Sequence, residues 1–162
     1  MTQPDFELFG QVDEDRFVAL VCPHVYAGYV GDDWTLAQIT GRFVEQMSAQ
    51  TLFVAHPGAD LACEPLRISN RPSPIAANRE ASNVLQVESD GLWLTDYTQL
   101  TMAAQSFDAP PVADHHTLVP VSAGNYRVTL RQLTDSPLIE LIITETDPVH
   151  RQGRFNAIPW LG

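Results

Sequence analysis

Short apolar runs separated by turn residues dominate the chain. From Phe6 to Val12 apolar and polar positions alternate, which predicts a half-buried strand. The run from Phe17 to Cys22 is apolar throughout, as in a strand that is covered on both faces. The acidic turn Asp13-Glu14-Asp15 separates the two runs. The pattern therefore predicts that they form a hairpin.

A helix is predicted in the segment that follows. Asp33 or Thr35 can cap it, because short polar side chains accept hydrogen bonds from the first free amides of a helix. The apolar residues at helical spacing are Leu36, Ile39, Phe43 and Met47. Gly41 weakens the middle of the segment, and two shorter pieces are the alternative.

The middle of the chain predicts further strands. Thr51–His56 reads as a buried strand and Leu66–Ser69 as an alternating one. Arg71–Asn83, with two prolines, is predicted to be a loop with one helical turn and the most mobile segment. Asn83–Asp96 predicts a hairpin that turns at Asp90-Gly91, a preferred pair for tight turns.

The last third is interpreted in the same way. Asp96–Phe107 favours a strand, although a helix also fits. Strands are predicted at Leu118–Val121, Tyr126–Arg131 and Ile139–Thr146. Together these elements predict a mainly β fold, an antiparallel β-sandwich or distorted barrel with one or two short helices. A single domain of residues 1–162 is expected, with an irregular tail at residues 147–162.

The net charge of the chain limits the kinds of molecule that it can bind. Twenty acidic residues face nine basic ones, for a formal net charge of −11, and every basic residue is arginine. Such a chain repels phosphate backbones and anionic lipid surfaces, because both are bound by cationic groups. No apolar run reaches the length of a membrane-spanning helix. We therefore expect no direct nucleic-acid binding and no membrane contact, and a basic protein is the expected partner.

The first residues and the cysteines indicate the cellular compartment. The first residues, Met1 to Asp5, show neither a basic nor an apolar leader pattern, which predicts a soluble cytoplasmic protein. Cys22 and Cys63 are accordingly expected to be free, buried thiols.

Catalytic motifs are weak throughout, and no cofactor is expected. Asp114-His115-His116 is the best candidate for a metal site, since imidazole and carboxylate are common zinc ligands. Adjacent side chains on a strand point to opposite faces, however, and an exposed loop with solvated histidines is the simpler interpretation. Acidic pairs such as Asp13 with Asp15 are interpreted as turn and capping residues. An enzyme is not the favoured interpretation.

Aromatic and acidic residues concentrate before the predicted helix. Tyr26, Tyr29 and Trp34 lie within nine positions, beside Asp32 and Asp33. Tyrosine and tryptophan are enriched at interaction hot spots, although such residues also complete the edges of cores. The predicted partner-binding residues are Tyr29, Asp32, Asp33 and Trp34.

Three stretches carry a resemblance to a known family. They are Asp33-Trp34-Thr35 with Ile39 and Phe43 after it, Val87 to Leu94, and Val119 to Val128. In this order they resemble the competence-associated family that inhibits a bacterial DNA-entry nuclease. The resemblance implies a β-rich fold and a nuclease-inhibitor function, and Asp33 and Trp34 are the matching positions.

Three hypotheses for the function follow. The first is a protein-binding module, an inhibitor or immunity-type protein that occupies the basic groove of a nuclease or another basic partner. The second is a small metal-binding enzyme that uses the loop histidines His115 and His116. The third is a domain without catalytic function whose charge aids solubility. The sequence leaves the oligomeric state open.

Overall fold

A computed structural model describes residues 4–134, 138–148 and 155–161. The first six elements are β1 (Glu7–Gln11), β2 (Val18–Val21), α1 (Leu36–Ser48), β3 (Leu52–Ala55), β4 (Pro65–Ser69) and β5 (Ala77–Val87). The next five are β6 (Leu92–Thr95), α2 (Tyr97–Gln105), β7 (Thr117–Val119), β8 (Gly124–Leu133) and β9 (Ile139–Glu145). A short 3₁₀ turn, Ala59–Leu61, lies between β3 and β4.

The strands form two open sheets. Sheet A has the order β1-β4-β9-β8-β5, and sheet B has the order β3-β2-β6-β7. All pairs are antiparallel except β4 with β9, which are parallel. The mainly β, sandwich-like class predicted from the sequence is confirmed, and the described strands do not close into a barrel.

Sheet B lies between sheet A and the two helices. One face of β2 presents Val18 and Leu20 to the core shared with sheet A. The other face presents Ala19 and Val21 to the helices. Both faces of β2 are thus buried, as its continuous apolar run predicts. A strand with apolar side chains at every position favours burial on both faces.

Both predicted hairpins are wrong, because their strands belong to different sheets. β1 pairs with β4 in sheet A, whereas β2 pairs with β3 and β6 in sheet B. In the same way β5 pairs with β8 and β6 pairs with β2 and β7. The predicted turns do exist, but each one carries the chain from one layer of the sandwich to the other.

Local contacts shape both of these turns. The Asp13 carboxylate accepts from the Phe17 amide at 2.8 Å, and Arg16 adopts a left-handed φ of 75°. Gly91 has a φ of 91°, which a residue with a side chain rarely adopts. Both corners are tight, and the pairing of their flanking strands with other strands, not the turns themselves, places them in different sheets.

The predicted helix is confirmed as α1. A capping box begins it: the Thr35 hydroxyl accepts from the Gln38 amide, and the Gln38 side chain accepts from the Thr35 amide. Ile39, Phe43 and Met47 are buried against sheet B. The helix is continuous through the solvent-exposed Gly41.

Two other segments differ from expectation. The region predicted as a strand between Asp96 and Phe107 contains α2, with the Asp96 side chain accepting from the Gln99 amide at its start. Leu100 and Ala104 are buried at helical spacing. The segment predicted as a mobile loop, Arg71–Asn83, is a loop only as far as residue 76, because β5 begins at Ala77.

A row of charged side chains crosses sheet A on the face turned away from sheet B. Arg67 bonds to Glu7 at 2.6 Å and to Glu140 at 2.8 Å. Arg131 bonds to the other oxygen of Glu140 and to Glu80 at 2.9 Å. The Glu140 side chain, only 1% exposed, is the centre of this row.

The same arginines fix the loop before β5. Arg67 donates to the Arg71 carbonyl, and Arg131 donates to the carbonyls of Ser73 and Ile75. The Ser73 amide donates to Glu140 at 3.2 Å. This loop is therefore held against the sheet by charge-assisted hydrogen bonds.

The remaining expectations concern cysteines and the tail. Both cysteines are free, and Cys22 is buried as predicted, but Cys63 is exposed, contrary to expectation. Part of the predicted irregular tail, residues 149–154 and 162, lies outside the described residues. Within the rest, Ile158 is buried in the helix-facing core, and Trp160 stacks under Arg79 with 3.9 Å from the guanidinium carbon to the ring centroid. No described helix combines the length and apolarity needed to cross a membrane.

Candidate functional site

The segment between β2 and α1, where the partner-binding residues are predicted, is docked on the end of α2. The amides of Val30 and Gly31 both donate to the Ala104 carbonyl, at 2.8 and 3.0 Å. That carbonyl lies in the last turn of α2, where carbonyls have no partner within the helix. The neighbouring Tyr29 is thereby fixed beside the residues that follow α2.

Two exposed aromatic rings meet at this point. Tyr29 and Phe107 lie edge to face, with ring centroids 5.8 Å apart and an interplanar angle of 87°. Tyr29 is 42% exposed and Phe107 is 81% exposed. Such exposure costs solvation free energy in the isolated chain, and it is typical of residues that become buried when a partner binds.

A surface cavity of about 220 Å³ adjoins the pair. Arg42 lines it and donates to the Ala27 carbonyl at 3.2 Å, with the exposed Glu45 carboxylate 3.7 Å from its Nε. Tyr26 also lines it, and its hydroxyl is buried without a hydrogen-bond partner among the described residues. Burial raises the pKa of Tyr26, and the Arg42 charge lowers it only in part. Tyr26 therefore remains a neutral phenol.

Carboxylates flank the aromatic pair. Asp32 and Asp33 are exposed, as is Asp108 directly after Phe107. Among the described residues these three carboxylates have no hydrogen bond or ion pair. We call Tyr29, Asp32, Asp33, Phe107 and Asp108 the acidic–aromatic face.

The structure separates the four predicted partner-binding residues. Tyr29, Asp32 and Asp33 belong to the acidic–aromatic face, whereas Trp34 is half-buried and packs against the core between sheet B and the helices. The sequence did not predict Phe107 as a partner-binding residue, because it is a single aromatic residue in a segment predicted as a strand. The signal that favours a helix here is the Asp96 N-cap followed by Leu100 and Ala104 at helical spacing, and Phe107 lies two residues beyond the end of that helix.

His115 and His116 come together in the loop before β7. Their ring centroids are 4.1 Å apart, and the His116 Nε2 lies 2.9 Å from Asp96 Oδ2. His115 Nε2 is 3.8 Å from the same oxygen. The His115 side chain is 72% exposed, but that of His116 is only 6% exposed, so it is not the solvated histidine that was expected.

These three side chains form the one group among the described residues with the spacing of a metal site. The hydrogen bonds of His116 oppose that use. Its Nδ1 accepts from the Ala113 amide at 2.7 Å, so in a neutral ring the proton is on Nε2, which donates to Asp96. No lone pair of the ring remains for a cation. The arrangement instead ties the loop to the start of α2.

The electrostatics of Asp96 fit this structural role. Burial raises its pKa, but the hydrogen bonds from His116 and the Gln99 amide, with the nearby imidazoles, lower it more. The net pKa of Asp96 is therefore below its usual value. Asp13 lies close by and accepts from the amides of Phe17 and Tyr97; burial raises its pKa more than these bonds lower it. Both carboxylates organise turns and helix starts.

Comparisons with known proteins give few matches. No protein-family model and no curated protein matches the chain in sequence. A solved structure described as crocagin biosynthetic gene J is similar over 85% of this chain and 94% of its own, with a TM-score of 0.46 and 13% identity. The structure of ComJ from Bacillus subtilis, described as an inhibitor of the DNA degrading activity of NucA, is similar over 91% of this chain and 98% of its own, with a TM-score of 0.44 and 9% identity. A nuclease inhibitor is thus a structural neighbour of this chain, which confirms the resemblance drawn from the sequence to that extent.

Proposed function

We propose that this chain is a protein-binding module that docks on a basic protein through the acidic–aromatic face. The observation that carries the proposal is the edge-to-face pair of Tyr29 and Phe107, exposed beside three carboxylates that have no partner in the described part of the chain. Aromatic rings supply much of the binding free energy at protein interfaces, while surrounding charges select the partner and speed its arrival.

The charge of the chain supports a basic partner. The net charge is −11, and several of its arginines are already engaged within the chain. Those that bond to acidic side chains, carbonyls or a ring of the chain are Arg42, Arg67, Arg71, Arg79 and Arg131. The field around the molecule is therefore dominated by carboxylates, and it attracts cationic surfaces over roughly a Debye length of 8–10 Å.

An inhibitor of a nuclease is the specific form that we propose, acting in the cytoplasm. A nuclease that binds DNA presents a basic groove, because phosphate is bound by cationic groups. Asp32, Asp33 and Asp108 offer carboxylates in place of those phosphates. The sequence resemblance to inhibitors of a DNA-entry nuclease favours the same interpretation, and the free cysteines suit a reducing compartment.

DNA degradation by an extract of the native host tests the proposal. Adding the purified chain should slow the degradation of linear DNA, and the effect should weaken as salt is raised. Phe107→Ser should raise the concentration needed for half-inhibition by about thirtyfold, the loss expected for a hot-spot side chain of roughly 2 kcal/mol. Asp33→Asn should weaken inhibition less and reduce its salt dependence.

Matched control variants change residues of β7 and β9, outside the acidic–aromatic face. Leu118→Ser removes an exposed apolar side chain from β7, and Glu145→Gln removes an exposed carboxylate from the end of β9. Both should inhibit like the unaltered chain. If the chain leaves DNA degradation unchanged, or if Phe107→Ser inhibits as well as Leu118→Ser, the proposal is wrong.

A further inference from the structure

The edge strands of the two sheets differ in how well they are protected from pairing with another chain. β7 has only three residues, and β3 is buried at all four of its positions. β5 has a register shift between Ala77 and Arg79, and its Gln86 amide donates to the Gln50 carbonyl. Short length, coverage and irregular pairing are the usual means of blocking an edge.

β1 shows none of these protections. It pairs with β4 in an unbroken register, from Glu7 opposite Ser69 to Gln11 opposite Pro65. It contains no proline and no lysine, and β4 is its single strand partner among the described residues. Its other edge is therefore available for a further strand.

The residues around β1 add an apolar surface. Phe9, at the centre of the strand, is 64% exposed on the face of sheet A turned away from sheet B. It borders a cleft of about 190 Å³ that is also lined by Pro65, Ile75 and Leu138, and the last two are themselves exposed. An open edge with exposed apolar side chains is a typical site of strand-to-strand association.

We propose that β1 pairs with β1 of a second copy of this chain, antiparallel, around a twofold axis at Phe9. The five residues of the strand are complementary to themselves in this register. Glu7 lies opposite Gln11 of the second copy, so a carboxylate faces an amide. Leu8 lies opposite Gly10 on the face turned towards sheet B, and the two Phe9 rings face each other. Centring the axis on Glu7 would instead oppose two carboxylates.

This surface is separate from the acidic–aromatic face. β1 belongs to sheet A, whereas Tyr29 and Phe107 lie at the helices on the far side of sheet B. The self-association therefore stands or falls independently of the proposed inhibition. Two copies, each with a net charge of −11, repel each other at low ionic strength, so added salt should favour the dimer.

Sedimentation equilibrium of the full chain tests the proposal. Measured from about 10 µM to about 1 mM, the range of weak association, in about 0.5 M NaCl, the mass should rise from 17.9 kDa towards twice that value. Phe9→Lys should remain monomeric throughout, because it places two ammonium groups on the twofold axis. Its circular dichroism and melting temperature should show that it remains folded.

A charge pair tests the register itself. Gln11→Lys should tighten the dimer roughly two- to thirtyfold, since two symmetry-related pairs with Glu7 would form, and Gln11→Glu should weaken it similarly. Gln86→Lys and Gln86→Glu make the same change in net charge at an exposed site on the opposite edge strand, β5. They should have a much smaller effect at this ionic strength.

The outcomes are decisive in either direction. A monomer at every concentration, or a dimer that survives Phe9→Lys, would overturn the proposal. Equal effects of the Gln11 and Gln86 variants would also overturn it, because association would then depend on net charge and not on this strand. Dimerisation that responds to Gln11 alone would establish the register.

Discussion

Neutralising Glu140 provides the sharpest test of how the outer face of sheet A is held together. The carboxylate is 1% exposed and accepts hydrogen bonds from Arg67, Arg131 and the Ser73 amide. Glu140→Gln keeps the shape but replaces one acceptor oxygen with an NH₂ group. The NH₂ group would face N–H donors and would find no acceptor. Both arginines would then lose the negative charge of Glu140, and one of them would also lose its hydrogen bond to this residue.

The magnitude follows from the surroundings. Removing one partner of a buried ion pair costs about 3–5 kcal/mol when the other charge is left uncompensated. Here each arginine keeps a second carboxylate, Glu7 for Arg67 and Glu80 for Arg131. We therefore expect a loss of about 2–4 kcal/mol in the free energy of unfolding, a large part of the usual stability of a domain.

Urea denaturation at neutral pH measures this loss, with Glu80→Gln as the matched control. Glu80 is 53% exposed and bonds to the same arginine, so its neutralisation should cost no more than about 1 kcal/mol. Added salt should reduce the effect of Glu80→Gln more than that of Glu140→Gln, because buried charges are poorly screened. Equal losses in the two variants would refute the view that burial makes Glu140 the centre of the row.

Three further outcomes are expected. Tyr26→Phe should leave stability unchanged or raise it by up to about 1 kcal/mol, because the hydroxyl it removes has no described partner; a clear loss in thermal melting would contradict this. Asp96→Asn should lower stability at neutral pH. The folded-state pKa of Asp96 is depressed, so its ionised carboxylate contributes to stability above the unfolded pKa of about 4. This contribution is lost as the pH falls through the folded-state pKa. The free energies of unfolding of Asp96→Asn and of the unaltered chain should therefore converge in acid. Burial, with minor effects of Asp90 and Glu88, raises the pKa of Cys22 to about 12, so a thiol reagent at mildly alkaline pH should modify Cys63 alone until denaturant exposes both.

Local signals predicted the elements that depend on local chemistry. The helix α1 was predictable because Thr35 and three buried apolar residues at helical spacing lie in one continuous segment. The helix α2 was missed because Leu100, Met102 and Ala104 also alternate as in a strand. In the structure Leu100, Ala103 and Ala104 are buried while Met102 is 50% exposed, so packing on sheet B decides between the two periodicities.

Pairing between strands was beyond the local signals. The residues at Asp13 and at Asp90-Gly91 predict turns correctly, but a turn does not show whether its flanking strands share a sheet. In a sandwich, strands such as β5 and β6 can bury the same core from opposite layers with the same alternation. The aromatic partner of Tyr29 was missed for a similar reason, since Phe107 is distant in sequence and is brought near by the docking of a loop on α2.

The placement of β9 has a consequence for folding. It is the last strand that the structure describes, yet it lies in the middle of sheet A, where it joins β4 on one side to β8 on the other. Until β9 has been synthesised and inserted, no other described strand connects the pair β1–β4 to the pair β8–β5 within the sheet. Contacts that close such long loops slow folding, typically into the range of milliseconds to seconds. A ribosome-bound chain that stops before Ile139 should therefore hold an unfinished sandwich with two unpaired inner edges, a form that chaperones would be expected to bind.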